Sequence, residues 1–199
     1  NDSQVYDHND ITGDDRGPIA AGAVNLLYSG DGGLGAFNLN NLSQATNAGS
    51  RIDVLVSDLA SETVYAFGNG NSIIQSIGND TMATTLLQLD ELTGNPTGSR
   101  IDLSDPIPLR GGGNESGIFA GWGRILLHNG SRIFHISMPS GRVLDLGPMA
   151  EPQHRQSETW AYWGVAEYFG GALYMVYVRD SQTIVRTRVP DGMTADLAS

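Results

Sequence analysis

The chain contains no cysteine and no lysine. Without cysteine there are no disulfides and no thiolate metal sites, so packing and hydrogen bonds alone must hold the fold. Without lysine, all eleven basic residues are arginines, and every cation is a planar fork suited to bidentate pairing. Positive charge is scarce in any form: 22 acidic residues leave a formal net charge of −11. Such a chain cannot neutralise a row of phosphates, which excludes nucleic acid as a partner and disfavours an anionic membrane surface. Long apolar runs are missing as well. No stretch approaches the ~18 consecutive apolar residues of a spanning helix, so no membrane span is expected. There is no G-x-S-x-G, no H-E-x-x-H and no nucleophilic thiol, and no catalytic residue is assigned. The chain begins at Asn1 rather than Met, which reads as the removal of an upstream segment.

What is present is turn chemistry. The 199 residues are 40% hydrophobic and include 26 glycines without a collagen-like period, a composition of short strands joined by tight turns. No segment keeps a helical period over three turns. The nearest, Thr81–Leu92, is broken by β-branched residues and a turn signal.

The pentapeptide GSRID occurs at 49–53 and again at 98–102. Each copy follows a short strand ending in Leu39 or Leu89, then Leu42-Ser43 or Leu92-Thr93, then a Gly/Asn turn. Later turns resemble these: Pro139-Ser140-Gly141 precedes Asp145-Leu146, and Pro190-Asp191-Gly192 precedes Asp196-Leu197 at the same spacing. Taking Gly49, Gly98, Gly141 and Gly192 as equivalent corners gives intervals of 49, 43 and 51 residues. That is the period of a four-stranded propeller blade.

Hairpin signals fall inside each unit: Asp31-Gly32-Gly33, Asn129-Gly130 and Arg179-Asp180-Ser181-Gln182, with Asn-Gly expected to supply two positive-φ turn positions. One antiparallel sheet cannot bury both of its faces, so copies packed radially cover one another. The expected fold is all-β: a single β-propeller domain, residues 1–199, of about four blades of ~45–50 residues, or an arc of a larger propeller. The approximate blades are 1–49, 50–103, 104–148 and 149–199. An open arc leaves raw edges and calls for closure or oligomerisation.

Three groups of residues are candidates for function. Asp7, Asn9, Asp10, Asp14 and Asp15 place hard oxygen donors in one short loop, the ligand type Ca²⁺ takes, although the loop lacks the closing Glu of an EF-hand. A plain solvated loop is the alternative. The stretch ETWAYWGVAEYFGG at 158–171 gathers aromatics. Strand alternation would put Trp160 and Tyr162 on one face and Trp163 on the other, either as packing between blades or as a platform for a sugar or a protein. Trp122, in an equivalent place one unit earlier, favours packing. Five N-x-S/T sequons, at Asn1, Asn41, Asn79, Asn114 and Asn129, exceed the roughly two expected by chance and lend mild support to an exported glycoprotein. His128 and His135 flank one hairpin and lack a third zinc ligand. Glu158, Glu167, Asp145 and Asp180 are carboxylates from which a glycosidase pair would have to come.

The strings GIFAGWGRILLHNGSRIF and ETWAYWGVAEYFGGALYMVYVRDSQTIVRTRVPDG, with GDDRGPIA and YSGDGGLGAFNL, resemble β-propeller-like repeat proteins predicted to be exported by environmental bacteria. The likeness covers most of the chain and rests on structural motifs. It implies a fold and carries over no functional residue.

The expected function is therefore a secreted, non-enzymatic binding or assembly module presenting a rigid surface to a glycan, a protein or copies of itself. The alternatives are a carbohydrate-active domain, lectin or glycosidase, and a structural subunit of an extracellular filament or surface layer. No cofactor other than Ca²⁺ is indicated. If the acidic N-terminal loop binds calcium, adding a chelator lowers the melting midpoint, and an unchanged midpoint discards the ion.

Overall fold

The structure, a computed structural model, describes residues 19–30, 33–41, 44–49, 51–52, 54–78, 81–110, 117–129, 131–148, 163–179, 183–189 and 194–198. They form strands and turns throughout, and among them no helix is long and apolar enough to cross a membrane. The first sheet is β1 (Ile19–Ala21), β2 (Asn25–Gly30), β3 (Gly33–Asn38) and β4 (Gln44–Gly49), paired in chain order. The second is β5 (Leu55–Asp58), β6 (Thr63–Asn69), β8 (Thr81–Leu89) and β9 (Pro96–Leu109), with the short β7 (Ser72–Ile73) beside β6. The third is β10 (Gly117–Gly121), β11 (Arg124–His128), β12 (Arg132–Ser137) and β13 (Arg142–Pro148). The fourth is β14 (Trp163–Phe169), β15 (Ala172–Arg179), β16 (Thr183–Val189) and β17 (Thr194–Ala198).

The second, third and fourth of these are antiparallel units of one continuous thirteen-stranded sheet, joined by parallel pairing of their first strands, while the first is a separate antiparallel sheet. Ile118, Phe119 and Ala120 of β10 pair with Trp163, Gly164 and Val165 of β14, and Gly121 pairs with Asp58 of β5. The first strands of the last three sheets thus run side by side, and β1 packs beside β5 and β6. The sheets fan outward from this inner row as propeller blades do. Among the described residues no strand of the fourth blade pairs with the first, so the blades form an arc.

Burial follows from this placement. All four residues of β5 are buried, because a strand on the inner row has neighbours on both faces. Blade three shows the sidedness most clearly. Its Ile125, Leu127, Phe134 and Ile136 join a core with blades one and two. Its Phe119, Leu126 and Ile133 instead pack on Ala166, Met175, Tyr177 and Val185 of blade four. Gly164 is required there: a Cβ would stand 2.2 Å from the Val176 carbonyl oxygen and 2.9 Å from the Phe119 ring.

Polar side chains then pin one blade to the next. Asp58, 5% exposed, accepts from the backbone N–H of Gly123 at 2.9 Å and of Ala60 at 3.1 Å, and from the Ser61 hydroxyl at 2.7 Å. Beside it, the Leu59 N–H donates to the Gly121 carbonyl at 3.1 Å. Glu91, in the turn after β8, accepts from Val24 and Asn25 of blade one, with contacts of 3.0 Å to each N–H. Ser104 of β9 accepts from the Val143 N–H at 2.9 Å, and the Asn129 amide donates to the Pro108 carbonyl at 3.0 Å.

Three expectations about the repeat change. The two GSRID copies do not occupy equivalent places: Gly49 ends β4, whereas 98–102 lies wholly inside β9. Gly141 marks a third position, the turn between β12 and β13. The repeat is also less even than the letters imply, with 63 residues from Asp58 to its partner Gly121 and 45 from Ile118 to Trp163. The excess lies in blade two, which carries β7 and a 14-residue β9 running through residue 103 to Leu109. Asn129 is not a positive-φ turn residue, since Glu62 alone among described non-glycine residues has that conformation. It starts the turn instead, its Oδ1 accepting from the N–H groups of Ser131 and Arg132 at 3.3 and 2.9 Å.

Asp58→Ala leaves the Gly123 and Ala60 N–H groups without their acceptor at a blade junction. The expected cost is about 2–4 kcal/mol in chemical denaturation, against under about 0.5 kcal/mol for Asp102→Ala, whose carboxylate pairs with the exposed Arg100.

Candidate functional site

Because β5, β10 and β14 run in the same direction, the turns that follow them emerge at one end of the arc. Two of these turns are two residues long. Gly121 pairs with Arg124 across Trp122-Gly123, and Phe169 pairs with Ala172 across Gly170-Gly171. Both residues of the Gly-Gly turn have positive φ, 56° and 81°, the requirement of a type I′ hairpin. In the Trp-Gly turn only Gly123 does, at 66°, which leaves the preceding position open to a large side chain.

That side chain is Trp122, 57% exposed. The turn that carries it is held on three sides: Gly123 donates to Asp58, the Gly123 carbonyl accepts from Met138 N–H at 2.9 Å, and the Gly121 carbonyl accepts from Leu59. Its ring is thus presented to solvent from a fixed backbone. At the same end Tyr168 is 53% and Phe169 64% exposed. The Arg124 guanidinium lies 4.6 Å from the Tyr168 ring centroid. Arg186 lies 4.6 Å from the Tyr174 ring centroid and 5.4 Å from that of Phe169. These are cation–π distances, and they orient both guanidinium planes. The cluster is an aromatic–arginine rim with broad flat faces and fixed cations, suited to stacking and to donating hydrogen bonds to ligand oxygens.

Behind the rim, His135 of β12 is half-buried, and its Nε2 has no hydrogen-bond partner. Burial, and then the nearby Arg124 charge, hold its pKa below the ordinary value of 6.5. It shares a sheet face with His128, whose strand partner is Ile133, while His135 itself pairs with Leu126. Among the described residues no group of three His, Cys, Asp or Glu side chains could hold a metal ion.

The sequence candidates fall unevenly on this frame. Trp122 is on the rim, exposed rather than packed between blades. It is not equivalent to Trp163, which pairs with Ile118 at the opposite end of the inner row, roughly 13 Å away along the strand direction. Trp160 and Tyr162 lie outside the described residues, as do Asp7, Asn9, Asp10, Asp14 and Asp15 of the proposed calcium loop. Asn1, Asn79 and Asn114 of the sequons lie outside them too. Asn41 is exposed in the turn after β3. Asn129 is 2% exposed and its Nδ2 is committed to Pro108, so the folded chain has no room for a glycan there.

Of the carboxylates, Asp145 is tied to Arg132 on the outer strands of blade three, with contacts of 2.8 Å from Nε and Nη2. Glu167 lies exposed on blade four, and Glu158 and Asp180 fall outside the described residues. Tyr168, Phe169, Arg124 and Arg186 were not singled out as candidates. The signal for the first two was their position directly before Gly170-Gly171, a turn that brings a strand end to the surface.

No protein-family model and no curated protein sequence matches the chain. Among solved structures, the WD40 domain of SCAP from fission yeast aligns over 92% of this chain and 44% of its own, at 10% identity and a TM-score of 0.42. A protein from Lactobacillus plantarum aligns over 90% of this chain and 69% of its own, at 12% identity and a TM-score of 0.40. The chain thus spans under half the length of the first of these.

His135 gives the fold an acid sensitivity whose sign is set by its lowered pKa. Its contribution is fully present above the unfolded value of 6.5 and is lost as pH falls through the lower folded value. Comparing melting midpoints at pH 7.5 and 5 for the wild type and His135→Gln is expected to show a smaller acid drop in the variant. An equal drop in both assigns the sensitivity to other groups.

Proposed function

We propose that the chain is a non-enzymatic binding module whose working surface is the aromatic–arginine rim, and that it also serves assembly. The observation that carries this is Trp122: a large ring, 57% exposed, on a turn fixed by backbone hydrogen bonds from two directions and by the Asp58 carboxylate. A packing residue would be covered, and a surface residue of no consequence would not need so rigid a mount. Rigid aromatics lose little conformational entropy on contact, which favours them as anchors. The same rings fit the apolar face of a pyranose, and the flanking Arg124 supplies donors for hydroxyl or carboxylate oxygens.

The non-enzymatic reading is supported by the fate of the acids, with Asp58 committed to backbone N–H groups and Asp145 to Arg132. Export to the cell surface belongs to the same proposal. The sequon at Asn41, exposed in its turn, supports it.

A glycan array followed by titration calorimetry on the best ligand tests the rim. Trp122→Ala is expected to weaken binding about tenfold or more, and Trp122→Ala with Tyr168→Ala to abolish it, while the melting midpoint stays within a few degrees. Binding unchanged in the folded double variant refutes the rim as the contact surface.

A further inference from the structure

Blade four has two faces of different character. The side of Ala166, Leu173, Met175, Tyr177 and Val185 is buried on blade three. Alternation puts Val165, Phe169, Tyr174, Val176 and Ile184 on the other side. Of these, Val165 is 36%, Phe169 64% and Ile184 41% exposed. Among the described residues no blade lies over this face. It also carries charges of both signs: Glu167 on β14, and Arg186 and Arg188 on β16. Glu167 is the cross-strand neighbour of Tyr174, and Arg186 that of Val176. Among the described residues neither has an ion pair. Arg186 Nε is buried without a hydrogen-bond partner, and its guanidinium is held over the Tyr174 and Phe169 rings.

We propose that this outward face of blade four binds the same face of a second copy, Glu167 of each chain pairing with Arg186 of the other. A two-fold contact needs one patch that holds both halves of its own complement. Here the patch holds an apolar strip, the acid Glu167 and the arginines Arg186 and Arg188. Sheet faces pack in this way when their apolar side chains interdigitate, and a guanidinium already oriented by stacking offers its free edge to a carboxylate. The net charge of −11 on each chain opposes association at long range. Screening beyond ~8 Å at physiological salt leaves the decision to the local contact. The inference rests on the assembly half of the function proposed above; the face shares Phe169 and Arg186 with the rim and leaves Trp122 outside the contact.

Sedimentation velocity and light scattering up to about 100 µM, where a weak contact is still populated, provide the test. The wild type is expected to show a monomer–dimer equilibrium. Arg186→Glu and Glu167→Arg should each weaken it about tenfold or more, and the double exchange Glu167→Arg with Arg186→Glu should restore it. Ile184→Asp, at a position 41% exposed and outside the Arg186 ring stack, should weaken it as well and guards against a folding defect at Arg186. Trp122→Ala should leave it intact. A wild type that stays monomeric overturns the proposal. So does a dimer that survives both single charge reversals and Ile184→Asp, or a folded double exchange that fails to dimerise.

Discussion

A four-stranded antiparallel sheet has two faces and only one interior to offer them, and the whole molecule follows from how that is met. The inner strands β5, β10 and β14 stand parallel, so each blade leans its apolar side chains on its neighbour. Blade three is the clearest case, because alternate residues of β11 enter different cores. Removing water from both faces of such a strand supplies the main driving force, and close packing sets the blade spacing. Gly164 shows how little slack that spacing leaves.

Apolar contact fixes distance better than angle. The polar pins supply the angle. Asp58, Glu91, Ser104 and Asn129 each reach from one blade to backbone groups of the next, satisfying N–H or C=O groups at turns and on the outer strands β9 and β13. The same bonds determine what the surface can do. A turn held by Asp58 carries Trp122 in one place, so a structural junction and a presenting surface share their hydrogen bonds. On the outer side of blade four, which no described blade covers, rings and an arginine stack on each other.

Much of the architecture was legible in the sequence, because strand alternation and turn chemistry are local. The hairpins around Asp31-Gly32-Gly33, Asn129-Gly130 and 179–182 all join antiparallel strands, and Thr81–Leu89 is a strand despite its faint helical character. What local reasoning missed depends on neighbours distant in the chain. GSRID marked a repeat, yet its two copies lie at different points of their blades, since a Gly-Ser pair suits a strand end and a β9 kink equally well. Asn129 looked like a turn tip and a glycan acceptor. Its amide is claimed by Pro108, 21 residues away, which no local pattern announces. The exposure of Trp122 was hidden for the same reason, because the Asp58, Leu59 and Met138 contacts that fix its turn come from distant parts of the chain. The candidate site was thus half visible, as aromatics in strand ends, with the rim itself a product of parallel inner strands.

Native-state amide exchange tests the inner row most directly. The backbone amides of β5 and β10, covered on both sides, should be the slowest to exchange and should open only with global unfolding, while β13 and β17 at the outer edges exchange first. Protection that is uniform across each blade, or greater in β13 and β17 than in β10, would contradict an architecture built outward from buried parallel strands.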